Sequence, residues 1–335
     1  MNDYTNIRLD KTMYRADKSF SQQLEMMDPS DRYTGPLGRL DAFQRQLKRF
    51  DIKVGGAASD QIAKFFATSD SAALFPEYVA RAVRQGMEEA KALESILAST
   101  TVIDSMDYRT ISTLEEDMTL ADVMEGGFIP QTTIKLRESL VHLYKRGRML
   151  AASYEAIKFQ KLDLFTVALR QIGASIARSQ LKDAVGVLLD GDEEGNDNAA
   201  TPFQIAGTSL AYGDLLTLWE KMGDYQLNVI LASPDMAVDI LKLEQFQSTA
   251  AGADFQKTGK LVTPLGATLI SSSAVPAGTV IGLDHRYALQ KISAGEVRVD
   301  ADKLIDCQLE RAAVTTIAGF AKVFPEAVQV MKESL

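Results

Sequence analysis

The sequence is poor in the residues on which chemistry usually rests. It holds one cysteine, Cys307, two histidines, His142 and His285, and one tryptophan, Trp219, in 335 residues. A single cysteine excludes an intrachain disulfide and every zinc pattern built from several cysteines, so Cys307 reads as a small buried hydrophobe. Two histidines so far apart make no metal site without carboxylate help. Also missing is any apolar run approaching the roughly 20 residues a membrane span needs. The opening MNDYTNIRLDK is polar and charged, so neither insertion nor secretion is expected, and the cytoplasm is the expected site of folding. Positive charge is in deficit. A formal net charge of −9 argues against gripping nucleic acid by phosphate neutralisation, although an acidic wall can surround DNA without holding it.

Catalytic and ligand motifs are absent in the same way. Asp284-His285 and Ser271-Ser272-Ser273 supply triad residue types, but no nucleophile elbow accompanies them. In GADFQKTGKL, Gly252 and Gly259-Lys260 are too widely spaced for a phosphate loop, and Leu261 replaces the metal-binding hydroxyl. DGDEEGNDN places Asp190, Asp192, Glu194 and Gly195 where a calcium loop wants them, yet Thr201 stands at the position of the final bidentate glutamate. That stretch reads as a solvated acidic loop. No catalytic residue, cofactor or metal is implied, and Trp219 and the methionines read as packing.

What is present is core-forming material: 46% of residues are hydrophobic, enough for two packed regions. Residues 1–60 alternate charges and look poor in core, except for Leu40, Phe43, Leu47 and Phe50, a sticky stripe at helical spacing that needs a partner. GGAASD after Val54 reads as a hinge. FATSDSAALF reads as an extended lead with too little apolar content to fold onto itself. A helix then starts at Pro76-Glu77, where proline gives up an orphaned donor and the acid faces the helix dipole, and Gly86 is expected to stop it. SILASTTVIDSMDYRTIS reads as one or two strands. Alternation around Ile134, Leu136 and Glu138, and again around Tyr154, Ala156 and Lys158, predicts a two-stranded excursion with Lys145-Arg146-Gly147-Arg148 as the turn between. Such a ribbon is marginal alone and should lean on something outside itself. Phe165, Leu169, Ile172, Ile176, Leu181, Val185 and Leu188 define a helix of about 28 residues, roughly 40 Å long. Beyond it, LAYGDLLTLWEKM, LNVILA and SPDMAVDILKLEQF alternate helix, buried strand and helix. GATLISSS, TVIGL, YALQKI, EVRVD and RAAVTTIAGFAKVFPEAVQVM read mainly as strands closing a sheet.

Four stretches taken together, TSDSAALFPEYVARAVRQG at 68–86, LNVILASPDMAVDIL at 227–241, TPLGATLISSSAVPAGTVIGLDHRYALQ at 263–290 and RAAVTTIAGFAKVFPEAVQVM at 311–331, resemble the major capsid proteins of tailed phages with the Hong Kong 97 fold. The resemblance covers about residues 60–335 and implies an α+β protein. It would divide into an N-terminal arm or assembly segment at 1–75, the first peripheral-domain helix and strand at 76–109, and an extension loop at 110–161. The spine helix would follow at 162–199, an axial domain at 200–290 and return strands of the peripheral domain at 291–335. It implies a structural protein, not an enzyme, whose partners are copies of itself in hexamers and pentamers. These would close an icosahedral shell around double-stranded DNA without reading its sequence, in the virion, after assembly in the bacterial host cytoplasm. Portal, scaffold and decoration proteins are further implied partners. Expected assembly contacts are the stripe Leu40, Phe43, Leu47 and Phe50, the helix start Phe75, Pro76 and Glu77, and the basic Lys145, Arg146 and Arg148. Some relatives weld subunits through a lysine and a late asparagine; Lys135, Lys145, Lys158 and Lys161 offer the amine, but no asparagine follows Asn228, so noncovalent locking is expected. The alternatives are an encapsulin-type compartment with protein cargo and, from another class, a cytosolic hydrolase or binding protein using His285.

Overall fold

The structure is a computed structural model of the chain. It describes residues 4–14, 19–112, 124–125, 135–137, 140–153, 155, 159–192, 198–207, 209–247, 265–304 and 309–334. In chain order the α-helices among the described residues are α1 (Phe20–Met27), α2 (Ala42–Arg49), α3 (Ser69–Ala72), α4 (Phe75–Glu89), α5 (Leu162–Asp190), α6 (Tyr212–Lys221), α7 (Pro234–Lys242) and α8 (Glu244–Gln247). The strands are β1 (Ser99–Ile103), β2 (Ile111–Ser112), β3 (Lys135–Leu136), β4 (Leu143–Ser153), β5 (Phe203–Gln204), β6 (Val229–Ala232), β7 (Thr268–Ser271), β8 (Thr279–Leu283), β9 (Leu289–Ala294), β10 (Arg298–Leu304), β11 (Leu309–Lys322) and β12 (Val328–Lys332). The chain forms two compact units: Met1–Ala90 with Lys145–Ala177 and Glu296–Thr316, and Lys91–Tyr144 with Arg178–Gly295 and Ile317–Leu335.

In the first unit the N-terminal segment is folded, which corrects the expectation of an uncovered arm. Serine and aspartate start its two helices as full capping boxes, Ser19 with Gln22 and Asp41 with Gln44. The stripe residues Phe43 and Leu47 are buried and share a core with Phe20, Leu24, Phe75, Tyr78 and Val79, with Phe50 packed at its edge. The stripe's partner is thus its own chain, because its apolar face is satisfied there; Leu40 is half-buried. Arg45, fully buried, donates to Asp28 Oδ2 at 2.6 Å and to the Asp28 carbonyl at 2.6 Å, and its guanidinium lies 4.4 Å from the Tyr33 ring centroid. Those bonds fold the turn-rich segment 28–45 back on itself. Removing one partner of a buried, hydrogen-bonded pair costs about 3–5 kcal/mol. Arg45→Ala should therefore lower the urea midpoint sharply, whereas Arg39→Ala, away from that pair, should leave it almost unchanged.

The lead at 66–75 is not extended either. Thr68 and Ser71 form a capping box for α3, and Phe65, Phe66, Phe75 and Tyr78 make a ring cluster with centroid separations of 5.0–6.3 Å. Helix α4 has its proline in the first turn as expected, but it runs through Gly86 to Glu89. Gly86 serves a different purpose. A Cβ there would lie 2.1 Å from the Arg170 carbonyl oxygen, and a Cβ on Gly173 of α5 would lie 2.0 Å from the Val83 carbonyl oxygen. Two bare backbones meet reciprocally at this crossing, closer than side chains allow.

Helix α5 spans the predicted length; Leu162–Ala177 falls in the first unit and Arg178–Asp190 in the second. Lys145-Arg146-Gly147-Arg148 makes no turn, because the segment lies inside the unbroken strand β4, which pairs with β11. Gly147 is a point of close approach, where a Cβ would lie 2.5 Å from the Val314 carbonyl oxygen. Tyr154, Ala156 and Lys158, the second arm of the expected ribbon, lie outside the described residues.

The second unit is layered around the sheet β5-β12-β8-β6-β7. Strands β6 and β8 are buried at every position, as continuous apolar runs require. Alternate residues serve two cores: Val229, Leu231, Ile281 and Leu283 pack with Leu181, Val185 and Leu188 of α5, while Ile230, Ala232 and Val280 pack with Leu215, Leu218, Met236 and Ile240 of α6 and α7. Strands β1 and β9 pair in parallel, and β9 pairs antiparallel with the end of β11.

Candidate assembly surfaces

The root of the excursion belongs to the second unit. Ile111 and Ser112 pair with Leu136 and Lys135, and the ladder continues through Arg137 N–H to the Thr110 carbonyl and Val141 N–H to the Tyr108 carbonyl, each at 2.9 Å. The loop beyond, residues 113–123 and 126–134, lies outside the described residues. Polar side chains fasten this root to the sheet. Gln290 accepts from Thr110 Oγ1 at 2.9 Å and donates to Thr101 Oγ1 at 2.9 Å and to the Tyr108 hydroxyl at 3.0 Å. Arg137 donates to Asp192 Oδ1 at 3.0 Å and Oδ2 at 3.3 Å, and with its other amino group to the Lys322 carbonyl at 2.9 Å.

Asp192 closes the clamp by accepting from Lys322 N–H at 2.7 Å and from the Asn198 side chain, so its carboxylate is a buried strut rather than a solvated ligand. That corrects the reading of the acidic loop at this residue; Asp190 is exposed and residues 193–197 lie outside the described residues. Lys322 is fully buried and donates to the Asn198 carbonyl at 2.6 Å. Burial pushes its ammonium down to about 8, against the attraction of Asp192.

Several apolar side chains around this root are exposed, interleaved with the exposed Asp104, Asp107 and Arg109. Leu136 is 66% exposed and its cross-strand partner Ile111 is 43% exposed; Val102, Met106 and Leu140 are also exposed. On α6 and α7, Leu216 with Trp219 and Val238 with Leu241 repeat the pattern at a spacing of three residues, so Trp219 is not the packing residue its sequence context suggested. In the first unit, Leu164 and Val167 of α5, with Phe159 and Met149, are exposed. Single exposed apolar residues are ordinary; pairs of them on one helix or strand face are candidates for contact with a partner. Of the expected contacts, Lys145 and Arg148 are exposed on β4 and Arg146 is half-buried. Phe75, Pro76 and Glu77 are buried inside the chain, which corrects their assignment as contacts. Sequence reasoning missed Ile111, Leu136 and Trp219 as exposed apolar positions, although a strand pair too short to bury anything was the available signal for the first two.

The triad residues serve structure. Asp284 is fully buried and accepts from Asn228 Nδ2 at 2.7 Å, Arg286 Nε at 2.9 Å, Gln226 N–H at 3.1 Å and Arg286 Nη2 at 2.7 Å. His285 Nδ1 has no partner among the described residues, so no Asp–His relay runs through that nitrogen. Burial opposes ionisation of Asp284, but the Arg286 guanidinium and the donated N–H groups outweigh it and hold the carboxyl well below the usual range. A depressed carboxylate pKa stabilises the fold above the unfolded value of about 4, and that contribution fades as pH falls below it. The difference in urea midpoint between the parent chain and Asp284→Asn should therefore be large at pH 7 and shrink steadily between pH 4 and pH 2. Among the described residues no group of carboxylates, histidines or cysteines could hold a metal ion, and no helix is long and apolar enough to cross a membrane.

The family model for phage capsid proteins matches residues 137–320, more than half of the sequence. The chain belongs to the phage capsid protein family. No curated protein sequence matches it. The capsid of a native GTA particle superposes with a TM-score of 0.54 at 14% identity, over 73% of this chain and 91% of the other. The virus-like particle from Pyrococcus furiosus gives 0.51 at 13%, over 77% and 99%, and Microbacterium phage Oxtober96 gives 0.50 at 11%, over 72% and 90%. The fold is the Hong Kong 97-like capsid fold, mixed helix and sheet, and the protein is a structural shell protein that associates with itself.

Proposed function

We propose that this capsid protein closes an icosahedral shell of hexamers and pentamers around double-stranded DNA, assembled in the cytoplasm of a bacterial host and carried in the virion. The observation that carries the reading is the short ribbon at 108–141, whose paired Ile111 and Leu136 are exposed on a two-stranded element too small to be stable alone. A second copy supplies the missing cover. The exposed apolar stripe on α5, Leu164 and Val167, offers a surface of the same character, and Lys145 and Arg148 on β4 add charge for acidic neighbours. Many weak, repeated contacts of this kind give a closed assembly its stability through multivalency. The net charge of −9 suits a container that lets its genome move, with no sequence-specific hold on it. A portal, a scaffold and decoration proteins would complete the particle.

Electron microscopy of the protein expressed alone is expected to show closed particles, and size exclusion to place it in the void. A monodisperse species near 36.6 kDa at working concentration would defeat the proposal. Leu136→Asp should abolish particles while leaving the urea unfolding of the chain within about 0.5 kcal/mol of the parent, as expected of a change at an exposed site. Native mass spectrometry distinguishes a genome container from a compartment loaded with one fixed protein.

A further inference from the structure

We infer that the segment before the Gly55-Gly56 hinge is a permanent cap on helix α4 of its own chain, kept in the finished particle rather than removed during maturation. Retention in a particle rests on the shell reading; the cap itself does not. The cap and the helix share one core, with Leu9, Met13, Phe20, Leu24, Phe43 and Leu47 packed with Leu74, Phe75, Tyr78, Val79 and Val83. A removable segment would sit on a surface that is complete without it. Here removal would open the core that the two share.

The polar contacts are equally committed. Tyr14, stacked on Phe20 at 4.6 Å, donates its hydroxyl to the Ala73 carbonyl at 2.8 Å and accepts from Glu77 N–H at 2.9 Å. It thereby satisfies a free donor in the first turn of α4, where no side chain of the helix's own N-cap does so. Ser21 donates to Glu77 Oε1 at 2.5 Å, and Arg81 reaches Glu77 at 2.9 Å, Asp41 at 2.6 Å and Ser21 at 2.6 Å. Glu77 is 4% exposed, and a carboxylate so placed depends on those donors; two of the four groups in this network, Ser21 and Asp41, belong to the cap, and the other two bond to it. By contrast the hinge is bare. Nothing lies within 4 Å of a Cβ placed on Gly55 or Gly56, and Gly56 has φ +82°. The covalent link is exposed while the contacts are buried, so cutting it tests the contacts alone.

A protease recognition sequence inserted between Gly55 and Gly56 allows the purified chain to be nicked. The two pieces are expected to co-elute on size exclusion as the uncut chain does. In nicked protein carrying Tyr14→Phe and Arg81→Ala, the N-terminal piece should be released at least tenfold faster. An N-terminal piece that separates while the remainder stays folded would overturn the inference. So would intact mass spectrometry of chains from purified particles showing loss of the first 50 to 60 residues instead of about 36.6 kDa. Failure to form particles strikes the shell reading and leaves the nicking result to decide this one.

Discussion

Gly173→Ala is expected to cost about 3 kcal/mol or more, enough to leave most of the chain insoluble or unfolded at 37 °C. The added Cβ would stand 2.0 Å from the Val83 carbonyl oxygen and 2.9 Å from Met87 N, and both are backbone atoms of α4 that cannot swing aside. Relief requires the two helices to part along the contact made by Tyr78, Phe75 and Phe165, whose rings lie 6.1–6.4 Å apart. Overpacking against backbone sits at the severe end of such substitutions. Gly86→Ala should behave alike, with its Cβ 2.1 Å from the Arg170 carbonyl oxygen. Gly186→Ala, in the same helix α5 but with open space around the added atom, should instead stabilise by about 0.5–1 kcal/mol through helix propensity. Urea unfolding of the three variants separates packing from propensity: equal effects at positions 173 and 186 would refute the close crossing.

Arg137→Ala is expected to loosen the root of the ribbon and to stop assembly. The guanidinium is 10% exposed at its side chain and Asp192 is 4% exposed, so its loss leaves a buried carboxylate with Asn198 and one backbone N–H as partners. Breaking a buried pair in this manner costs about 3–5 kcal/mol. The damage should be local. Amide exchange should rise at Tyr108–Ser112 and Lys135–Tyr144, while the sheet around β6 and β8 stays protected, and particles should disappear from micrographs. Arg137→Lys should not rescue, because a single ammonium cannot bridge both Asp192 oxygens and the Lys322 carbonyl in the fork geometry seen here. Normal particle yield from Arg137→Ala would show that the ribbon root is held by Gln290 and the ladder alone.

Much of the fold was legible in the sequence because periodicity reports which faces are buried. Helix α5 and the doubly buried strands β6 and β8 follow from runs of apolar residues at spacings of three and four, or continuously. What misled were local rules applied to residues that serve distant partners. Gly86 reads as a helix stop, and Lys145-Arg146-Gly147-Arg148 as a turn, yet each glycine admits another backbone, that of Arg170 or Val314. The first 60 residues look like a solvated tail because charge dominates the string, while Arg45 and Asp28 bond each other internally and Asp41 bonds Arg81 of α4. The candidate surface was legible only as a ribbon in want of cover, since exposure of Ile111, Leu136 and Trp219 depends on what fails to pack over them.

By itself the sequence determined the long helix α5, the buried strands β6 and β8, the want of catalytic and metal signatures in its motifs, and the resemblance to phage capsid proteins. The tertiary structure alone decided that the N-terminal segment is core, that Phe75, Pro76 and Glu77 are interior, and that the unsatisfied apolar surface lies on the ribbon root and the outer helix faces. The division has one cause. Periodicity is a local property that a string records, whereas burial belongs to pairs of surfaces far apart in the chain, fixed only when close backbone approaches and buried ion pairs choose among the partners the pattern permits.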